Sequence, residues 1–462
     1  MKERESLRDA SPTVTETRTL LGIDIGTTRV KALLIDLQGR VRGMGVCETP
    51  FETTGPHVEM TLFGLKTAIG TAVGQLGGAV THVSAVGIAS MGETGVPLDR
   101  HLEPSGPLIA WHDSRGAKVV RRLIDEYGDA LPARAGQITR VQSSIAKIGW
   151  LLQHDVEIHR WLGAAEAALW SLTGEQVSEP SLACRTGAFD VSALSYLDDV
   201  IRLVGAPHDI FPPVRVAGEP HGRVTDAGRE WLGLTVGVPV TVAGHDHMVG
   251  AVGVGLSDDD LLDSIGTAET LVRYTRDDLD FMQAATLMAD VSIDPARGGL
   301  AVMAGDLRPG RIVESARRMF GDASFEELDG AALSVDSGMG EIHAAEGAVL
   351  LEQLRLQAGP GVSSGSAQVR WRGLIEAMTS YMWNCALGIE PLAGPPARIV
   401  LIGGGARSDT WASAKRRISG LPVARSLTEA TAYGAALFAG CAAGHWPVVD
   451  EAPRSPLERV EQ

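Results

Sequence analysis

Several glycine-containing turns in the sequence carry residue types that bind phosphate. The first is Gly26-Thr27-Thr28, which lies between mostly apolar runs at 20–25 and 30–35 and predicts a strand, a tight turn and a returning strand. Glycine lets backbone amides approach a phosphate closely, and the threonines add hydroxyl donors. Asp24 places a carboxylate beside the same turn, as a magnesium ion requires. The alternative is an ordinary hairpin turn with no ligand.

The same arrangement recurs in the second half of the chain, at Gly266-Thr267. A largely apolar run from Leu261 leads to this dipeptide, and a second strand is predicted from Thr270 to Tyr274. Two hairpins of like design this far apart suggest two half-molecules facing one nucleotide. The repetition favours phosphate binding over the plain turn. A further glycine-containing turn runs from Ala301 to Gly310.

A run of three glycines, Gly403 to Gly405, lies between a predicted strand at 398–402 and a predicted helix at 409–418. Bare backbone at a helix N-terminus allows a flat ligand or a phosphate to lie against it. Taken alone, such a run has little specificity.

The stretch Gly244-His245-Asp246-His247 follows an apolar strand and precedes a run of small, apolar residues that predicts a closely packed helix. We interpret Asp246 as a catalytic carboxylate at a strand end. A helix N-cap role for Asp246 is the alternative, and both roles are compatible. A metal site built on the two histidines is less favoured, because they need a third ligand and nothing nearby in sequence clearly supplies one.

The remaining pattern alternates strands and helices, as in an α/β protein. Predicted strands cover 41–48, 83–89, 96–98, 108–110 and 421–423. Predicted helices cover 61–76, 117–127, 143–153, 157–163, 193–204, 369–389 and 429–443. The last of these is rich in small residues, for which close packing against its neighbours is a sufficient explanation.

Length and composition limit the possible classes. A chain of 462 residues is too long for one ordinary core, so two or three domains are expected. The fifty-five glycines favour many tight turns. A formal net charge of −16 argues against sequence-independent binding to nucleic acid or to an anionic membrane. A nucleotide can still bind where local amides, hydroxyls and a metal ion neutralise its phosphates.

The cysteines and the N-terminus predict a cytoplasmic protein. Cys47, Cys184, Cys385 and Cys441 lie far apart and form no CxxC pair, which indicates isolated thiols rather than disulfides or a zinc site. Residues 1–18 are charged and lack the apolar segment of a secretory signal, so they predict a disordered leader. No apolar run reaches the length of a membrane span.

Together these motifs resemble those of the FGGY carbohydrate kinases, within the actin-like ATPase superfamily. GIDIGTTRVK resembles the first phosphate motif, SIGTAET the second and LIGGGARSDTW the adenosine motif. GHDH lies where the family keeps its catalytic aspartate, and AWHDSRG resembles the substrate-side Trp-x-Asp motif. The motifs occur in family order over roughly Leu20 to Ala443, which is far more specific than any one of them.

The resemblance implies two ribonuclease-H-like domains hinged over a cleft, each a mixed five-stranded sheet flanked by helices. We place the leader at 1–18, the N-terminal domain at 19–255, the C-terminal domain at 256–446 and a tail at 447–462. It also implies an ATP-dependent kinase that phosphorylates a hydroxyl of a small sugar, such as a ketopentose, or of a polyol. ATP and Mg²⁺ are the implied cofactors. The enzyme is expected to bind neither nucleic acid nor membrane, and a homodimer is compatible with the resemblance.

Carried onto matching positions, the resemblance assigns site residues. Asp246 is the expected catalytic base, and it shares the metal ion with Asp24, which acts through water. The residues expected at ATP are Gly26, Thr27, Thr28, Lys31, Gly266, Thr267, Gly310, Gly404, Gly405 and Ser408. The residues expected at the substrate are Met91, Glu93, Trp111, Asp246 and His247. A core tryptophan is the alternative for Trp111, and Asp113 and Arg115 are expected to pair and brace their loop.

The chain also departs from the family. The loop before the long helix of the second domain is short, with Gln357 to Val369 in place of the usual Gly-Glu-Arg-Thr-Pro signature. An aldonic acid is a less favoured substrate, because no carboxylate clamp is evident near Glu93. A chaperone-like or filament-forming ATPase of the same superfamily, or a sugar-binding member without turnover, remains the alternative function.

Overall fold

The computed structural model describes residues 18–275, 278–305, 307–321, 323–335, 348–352 and 366–461. The expected leader up to residue 17, and the part of the short loop from 357 to 365, lie outside the described residues.

The first half of the chain forms a six-stranded sheet around the opening hairpin. In spatial order its strands are β12 (Gly222–Arg223), β13 (Pro239–His245), β6 (Val83–Ser90), β1 (Thr19–Ile25), β2 (Arg29–Asp36) and β3 (Val41–Glu48). β1 pairs antiparallel with β2 and parallel with β6. Both neighbours therefore bury β1, whose residues are all buried.

The second half forms a seven-stranded sheet with the same central pairing. In spatial order its strands are β16 (Asp290–Ile293), β17 (Leu300–Ala304), β15 (Glu269–Tyr274), β14 (Asp260–Ile265), β18 (Arg398–Ile402), β19 (Val423–Arg425) and β20 (Glu458–Arg459). β14 pairs antiparallel with β15 and parallel with β18, as β1 does with β2 and β6. The predicted repetition of one design is thus confirmed.

The expected count of five strands in each sheet is wrong. Both sheets end in a two-residue antiparallel strand, β12 or β20, and the second sheet has β16 in addition. Segments this short have too few residues to show an apolar period, so only the pairing with a neighbour defines them. β20 lies in the stretch 447–462 assigned to a tail, which therefore completes the second sheet.

Two small sheets accompany the first large one. One contains β4 (Glu52–Thr54), β5 (His57–Met60), β8 (Leu108–Ile109), β7 (Gly95–Leu98) and β9 (Arg160–Gly163), and the other contains β10 (Phe189–Asp190) and β11 (Ser195–Tyr196). The helix predicted at 157–163 is wrong, because β9 pairs there with β7. The helix predicted at 193–204 begins only at Asp198, after β11.

Sixteen α-helices begin and end within the described residues. They are α1 (Leu62–Gly74), α2 (Ala117–Tyr127), α3 (Ala130–Ala135), α4 (Ser144–Leu152), α5 (Ala164–Thr173), α6 (Pro180–Cys184), α7 (Asp198–Val204), α8 (Asp226–Leu232), α9 (Asp246–Val254), α10 (Phe281–Thr286), α11 (Pro309–Met319), α12 (Phe325–Leu333), α13 (Ala367–Gly388), α14 (Glu390–Ala393), α15 (Asp409–Ser419) and α16 (Ala430–Ala442). Short 3₁₀ turns cover Gly77–His82, Gly404–Arg407 and Val449–Glu451. Within the described ranges, none of the helices has the length and apolarity needed to cross a bilayer.

The small-residue helix α16 packs on the first sheet, although its place in the chain assigned it to the C-terminal domain. A Cβ atom on Gly22 of β1 would overlap the carbonyl oxygen of Ala432, and one on Gly87 of β6 would overlap that of Ala435. The helix backbone therefore lies directly on the strands, which confirms the packing explanation for its composition.

α16 also crosses α9 at close range. A Cβ atom on Gly253 of α9 would overlap the carbonyl oxygen of Ala430, and one on Gly434 of α16 would overlap that of Val249. The two helices are therefore in backbone contact at the crossing, and α9 leads from the first sheet to the second.

Candidate active site

A cavity of about 700 Å³ lies between the two halves of the molecule and brings the predicted site residues together. The predicted residues that line it are Asp24, Gly26, Thr27, Thr28, Lys31, Met91, Glu93, Trp111, Asp246, His247, Gly266, Thr267, Gly310, Gly404 and Gly405. Residues from both sheets contribute, so a ligand in this cleft contacts both halves of the chain.

Ser408 is the predicted site residue that does not line the cleft. It is buried, and its hydroxyl donates to Asp329 Oδ1 at 2.6 Å and accepts from the Trp411 amide at 2.9 Å. Ser408 is the N-cap of α15. The expectation that it faces the nucleotide is wrong, because capping and ligand contact draw on the same residue types.

The two glycine-threonine hairpins meet across the cleft. The Gly26 amide donates to the Arg29 carbonyl at 3.1 Å, and the Gly266 amide donates to the Ala268 carbonyl at 3.0 Å, so the two turns differ by one residue in length. The hydroxyls of Thr28 and Thr267 are 2.5 Å apart. Phosphates bound between the hairpins must therefore separate this pair of hydroxyls.

Asp24 lies at the end of β1 and is 5% exposed. Burial raises its pKa to about 6, with the Asp246 and Glu429 carboxylates adding to the rise and Lys31 opposing it. Lys31 Nζ lies 3.5 Å from Asp24 Oδ2 and 2.8 Å from Glu429 Oε2. The ammonium group is thus engaged by two carboxylates in this structure, on the side of the cleft where a phosphate contact was expected.

Two carboxylates in one cleft, one of which makes the other harder to ionise, fit a divalent cation. Asp24 and Asp246 both line the cleft, and the charge of Asp246 raises the pKa of Asp24. Carboxylate and water oxygens are the ligands that Mg²⁺ prefers, usually one or two carboxylates with phosphate oxygens. The donor set therefore suits a magnesium ion carried by a nucleotide.

Asp246 is the first residue of α9, and its Oδ1 accepts a hydrogen bond from the His247 amide at 2.8 Å. The N-cap itself is His245, one residue earlier than the N-cap interpretation placed it. Burial raises the pKa of Asp246 to about 7, and the charge of Glu93 adds to the rise. A carboxylate with such a pKa is a stronger proton acceptor than an exposed aspartate.

The histidines on either side of Asp246 are neutral and lie close to its carboxylate. The Nε2 atoms of His245 and His247 are 3.3 and 3.8 Å from Asp246 Oδ1. Burial lowers the pKa of His247 to about 4, helped by Arg185, and holds that of His245 well below its usual value. His245, Asp246 and His247 thus form a cluster of three potential metal-binding groups, in which Asp246 is the third group beside the two histidines.

Glu93 has a left-handed backbone conformation, with φ of 57°, just after β6. Its Oε1 accepts from Arg185 Nε at 2.8 Å, and Arg185 Nη1 donates to Asp290 Oδ2 at 3.1 Å. Arg140 pairs with the same Asp290 carboxylate. All four side chains line the cleft, and they link the first sheet's side of the site to β16 of the second.

Sequence reasoning missed Arg140, Arg185 and Asp290, because nothing local distinguishes them from surface charges. Their partners are far away in sequence, and only the fold brings them to one place. Guanidinium groups therefore do lie beside Glu93, which the argument against an acidic substrate did not anticipate. Their charges are, however, balanced by Glu93 and Asp290.

Trp111 is held at the edge of the cleft. Its Nε1 donates to Thr27 Oγ1 at 2.8 Å, and the Arg308 guanidinium lies over its ring at 5.4 Å from the centroid. It is half-buried, lines the cleft and also packs against the hydrophobic core of the first half of the chain. Arg115 Nε donates to Asp113 Oδ1 at 2.9 Å, which confirms that this pair braces the loop.

Glycine backbone and apolar side chains form part of the cleft lining. Gly404 has no atom within 4 Å of the position of a Cβ, whereas a Cβ on Gly405 would strike Ile265. Val313 and Phe325 also line the cleft, and Gly310 lies beside Thr267. Open backbone between apolar side chains is a suitable surface for a planar base.

The comparison with protein families agrees with these motifs. Residues 19–253 match the N-terminal domain of the FGGY family of carbohydrate kinases. The chain belongs to this family. Membership confirms the enzyme class expected from the motifs, an ATP-dependent sugar or polyol kinase.

Curated relatives of this FGGY kinase differ in substrate. The chain is 28% identical to a xylulose kinase of Streptomyces coelicolor, covering 96% of this chain and 95% of the relative. It is 24% identical to an L-fuculokinase of Escherichia coli, covering 94% of each. It is 26% identical to a glycerol kinase of Bordetella parapertussis, covering 94% and 90%.

Solved structures of sugar and polyol kinases share the fold of this chain. A xylulose kinase from Brucella ovis has a TM-score of 0.80 at 19% identity and covers 96% of this chain and 94% of its own. A Plasmodium falciparum glycerol kinase with ADP has a TM-score of 0.78 at 17% identity and covers 95% and 93%. At these identities the likeness concerns the fold.

Proposed function

We propose that this FGGY kinase transfers the γ-phosphoryl group of ATP to a hydroxyl of a small ketose or polyol, with Asp246 as the general base. The observation that supports this best is the position of Asp246. It lies in one cleft with both phosphate hairpins and has a pKa raised to about 7 by burial. A base with a pKa near neutral is ionised often enough to act and basic enough to take a proton.

The sugar hydroxyl is a poor nucleophile until its proton is removed. In our proposal Asp246 accepts that proton as the new phosphorus–oxygen bond forms. The hydrogen bond from the His247 amide fixes Oδ1, which leaves Oδ2 for the hydroxyl. The neutral imidazole of His247 is about one fifth exposed. It can either donate a hydrogen bond to a second hydroxyl or accept one from it.

Charge on the transferred phosphoryl group needs positive partners. Amides of Gly26 to Thr28 and of Gly266 and Thr267 supply hydrogen bonds from two sides. A magnesium ion held by Asp24 through water and by Asp246 would neutralise phosphate charge when bound. Lys31 lines the same cleft, 3.5 Å from Asp24, and would supply a further positive charge to the phosphates.

The substrate would lie between Asp246 and the wall formed by Met91, Glu93 and Trp111. Glu93 Oε1 is held by Arg185, so its other oxygen is the one that would accept from a hydroxyl. Arg140 has about a third of its side chain exposed and is a further donor. A polyhydroxy compound with both donors and acceptors matches this mixed lining.

The test is a coupled assay of ADP release over ketoses, polyols and sugar acids, with ATP and Mg²⁺ present. We expect turnover that depends on one sugar or polyol class and is lost in Asp246→Asn by about 10²- to 10⁴-fold, the usual contribution of a general base. Slow ATP hydrolysis that no sugar accelerates would contradict the proposal and favour a chaperone-like ATPase. Turnover above about a tenth of wild type in Asp246→Asn would contradict the role of Asp246.

A further inference from the structure

A buried acid lies behind the turn that carries Asp246. Glu179 is the N-cap of α6, and its side chain is fully buried. Its Oε2 accepts from the Ser181 amide at 2.8 Å and from the Ser181 hydroxyl at 2.5 Å. Its Oε1 has no hydrogen-bond partner among the described residues. A short helix cap needs only one of these bonds, so the site is more elaborate than capping requires.

Ser181 connects Glu179 to the catalytic turn. The Ser181 hydroxyl gives its proton to Glu179 and accepts from the His245 amide at 2.8 Å. Because a hydroxyl has one proton, donating it to Glu179 leaves the oxygen free to accept from His245. Glu179 thereby fixes the direction of the bond that holds the residue immediately before Asp246.

The same pair also limits the backbone one residue earlier. Gly244 has φ of 127°, and a Cβ there would lie 2.6 Å from Ser181 Oγ and 2.8 Å from Glu179 Oε2. The pairing of β13 with β6 shifts register between Val242 and Gly244. The strand therefore leaves its regular path where the Glu179–Ser181 pair touches it, and α9 begins two residues later at Asp246.

No cation balances this acid within the described part of the chain. Burial raises the pKa of Glu179 to about 8, and the charge of another buried acid, Glu166, adds to the rise. A neutral carboxyl is therefore the form present at pH 7. In that form Oε2 is a carbonyl-like oxygen that still accepts the Ser181 bonds, less strongly than a carboxylate oxygen would, and no charge is buried.

We infer that Glu179 is a positioning residue for catalysis, acting through Ser181 on the backbone of the Gly244–Asp246 turn. This inference rests on the proposed role of Asp246. Removing the Glu179 acceptor frees the Ser181 hydroxyl to rotate, and the His245 amide loses a fixed partner. The aspartate at the helix start then samples positions away from the reacting hydroxyl.

The kinetic test compares Glu179→Ala, Ser181→Ala and Glu179→Gln. The glutamine oxygen can accept the same bonds, so Glu179→Gln should keep kcat within about threefold of wild type. Glu179→Ala and Ser181→Ala should lower kcat about 10- to 100-fold with an unchanged KM for ATP, because small misplacements of a catalytic group have costs of this order. Ser181→Ala removes a single oxygen atom and is the milder change. It therefore keeps the test valid if Glu179→Ala does not fold.

Glu166→Ala is the matched control. Glu166 is also buried, and its Oε1 accepts from the Ser178 hydroxyl at 2.6 Å, but it has no hydrogen bond to the turn. The Glu166→Ala variant should have a lower melting temperature, as Glu179→Ala should, and an unchanged kcat. Equal losses of kcat in Glu166→Ala and Glu179→Ala would overturn the inference, since burial alone would then account for both.

Hydrogen–deuterium exchange separates this inference from the proposed function, because it needs no substrate. In the unliganded protein, amides of 243–247 should exchange faster in Glu179→Ala and Ser181→Ala and at the wild-type rate in Glu179→Gln and Glu166→Ala. Unchanged exchange in Ser181→Ala would overturn the positioning role even if a kinase substrate is found. Faster exchange together with an active Asp246→Asn would instead overturn the role of Asp246 and leave the positioning effect standing.

Discussion

Replacing Asp246 by asparagine should stabilise the protein while it removes activity. The folded structure raises the pKa of this carboxyl from 3.8 to about 7, chiefly by burial. Between these values the unfolded chain has lost the proton that the native protein keeps. The free energy of unfolding therefore falls as the pH rises from about 4 to about 7 and is flat above that range.

The size of the effect follows from the shift. A change of about 3 units at 1.36 kcal/mol per unit gives about 4 kcal/mol. The side chain is 21% exposed, so water screens part of its charge, and we expect about half of that figure, ~2 kcal/mol. Asparagine does not ionise, so this side chain adds no pH dependence to the stability of the variant. The difference in unfolding free energy, variant minus wild type, should therefore grow by about 2 kcal/mol between pH 4 and pH 8.

Urea unfolding of both proteins at several pH values measures this difference. Asp36→Asn is a control of opposite sign, because hydrogen bonds from Arg40, Arg42 and Gln38 outweigh burial and lower the pKa of Asp36. That variant should lose stability relative to wild type as the pH rises through the low pKa of Asp36. If the difference for Asp246→Asn does not change with pH, the raised pKa of Asp246 is refuted. The electrostatic argument that Asp246 can act as a general base would then fail as well.

Other predictions concern the hairpins, the substrate wall and the helix crossing. In a Thr28→Cys/Thr267→Cys variant, oxidation should form a cross-link in the free protein, and ATP with Mg²⁺ should protect against it; cross-linking at the same rate with nucleotide would show that phosphates do not enter between the hairpins. His247→Ala and Glu93→Gln should each lower kcat/KM for the sugar about 10- to 100-fold, the effect of an unpaired buried partner, and leave KM for ATP unchanged; loss of ATP affinity instead would move these residues to the nucleotide side. Gly434→Ala should destabilise the protein by about 1 to 3 kcal/mol in thermal unfolding, the usual cost of overpacking, and wild-type stability would mean that α16 shifts freely.

The two hairpins were predictable from sequence because each is defined locally. An apolar run, a Gly-Thr turn and a second run lie next to one another in the chain, so Gly26 and Gly266 mark their positions without knowledge of the fold. Asp246 was predictable for the same reason, since a buried strand ends directly before it. Elements of this kind owe their form to neighbours in sequence.

Other parts of the site depend on contacts that the sequence does not contain. Arg185 and Asp290 are joined by a hydrogen bond over 105 positions, and neither has a local feature that distinguishes it. β9 forms because it pairs with β7, and a four-residue segment has no period strong enough to indicate a strand. Ser408 shows a different difficulty. Serine suits both helix capping and ligand binding, and the sequence reasoning assigned Ser408 to the ligand, whereas its contacts are those of an N-cap.

The close crossing of α9 and α16 connects Asp246 to a helix from the second half of the chain. The two backbones are in contact at the crossing, and the Thr431 hydroxyl of α16 donates to the Asp246 carbonyl at 3.1 Å, so the start of α9 is tied to α16. Gly253 is seven residues from Asp246 along α9, which corresponds to an arm of about 10 Å at 1.5 Å per residue. A rotation of about 10° at the crossing would carry the start of α9 by roughly 2 Å. Under the proposed role of Asp246, we therefore expect changes at the crossing to alter kcat without altering any residue that lines the cleft.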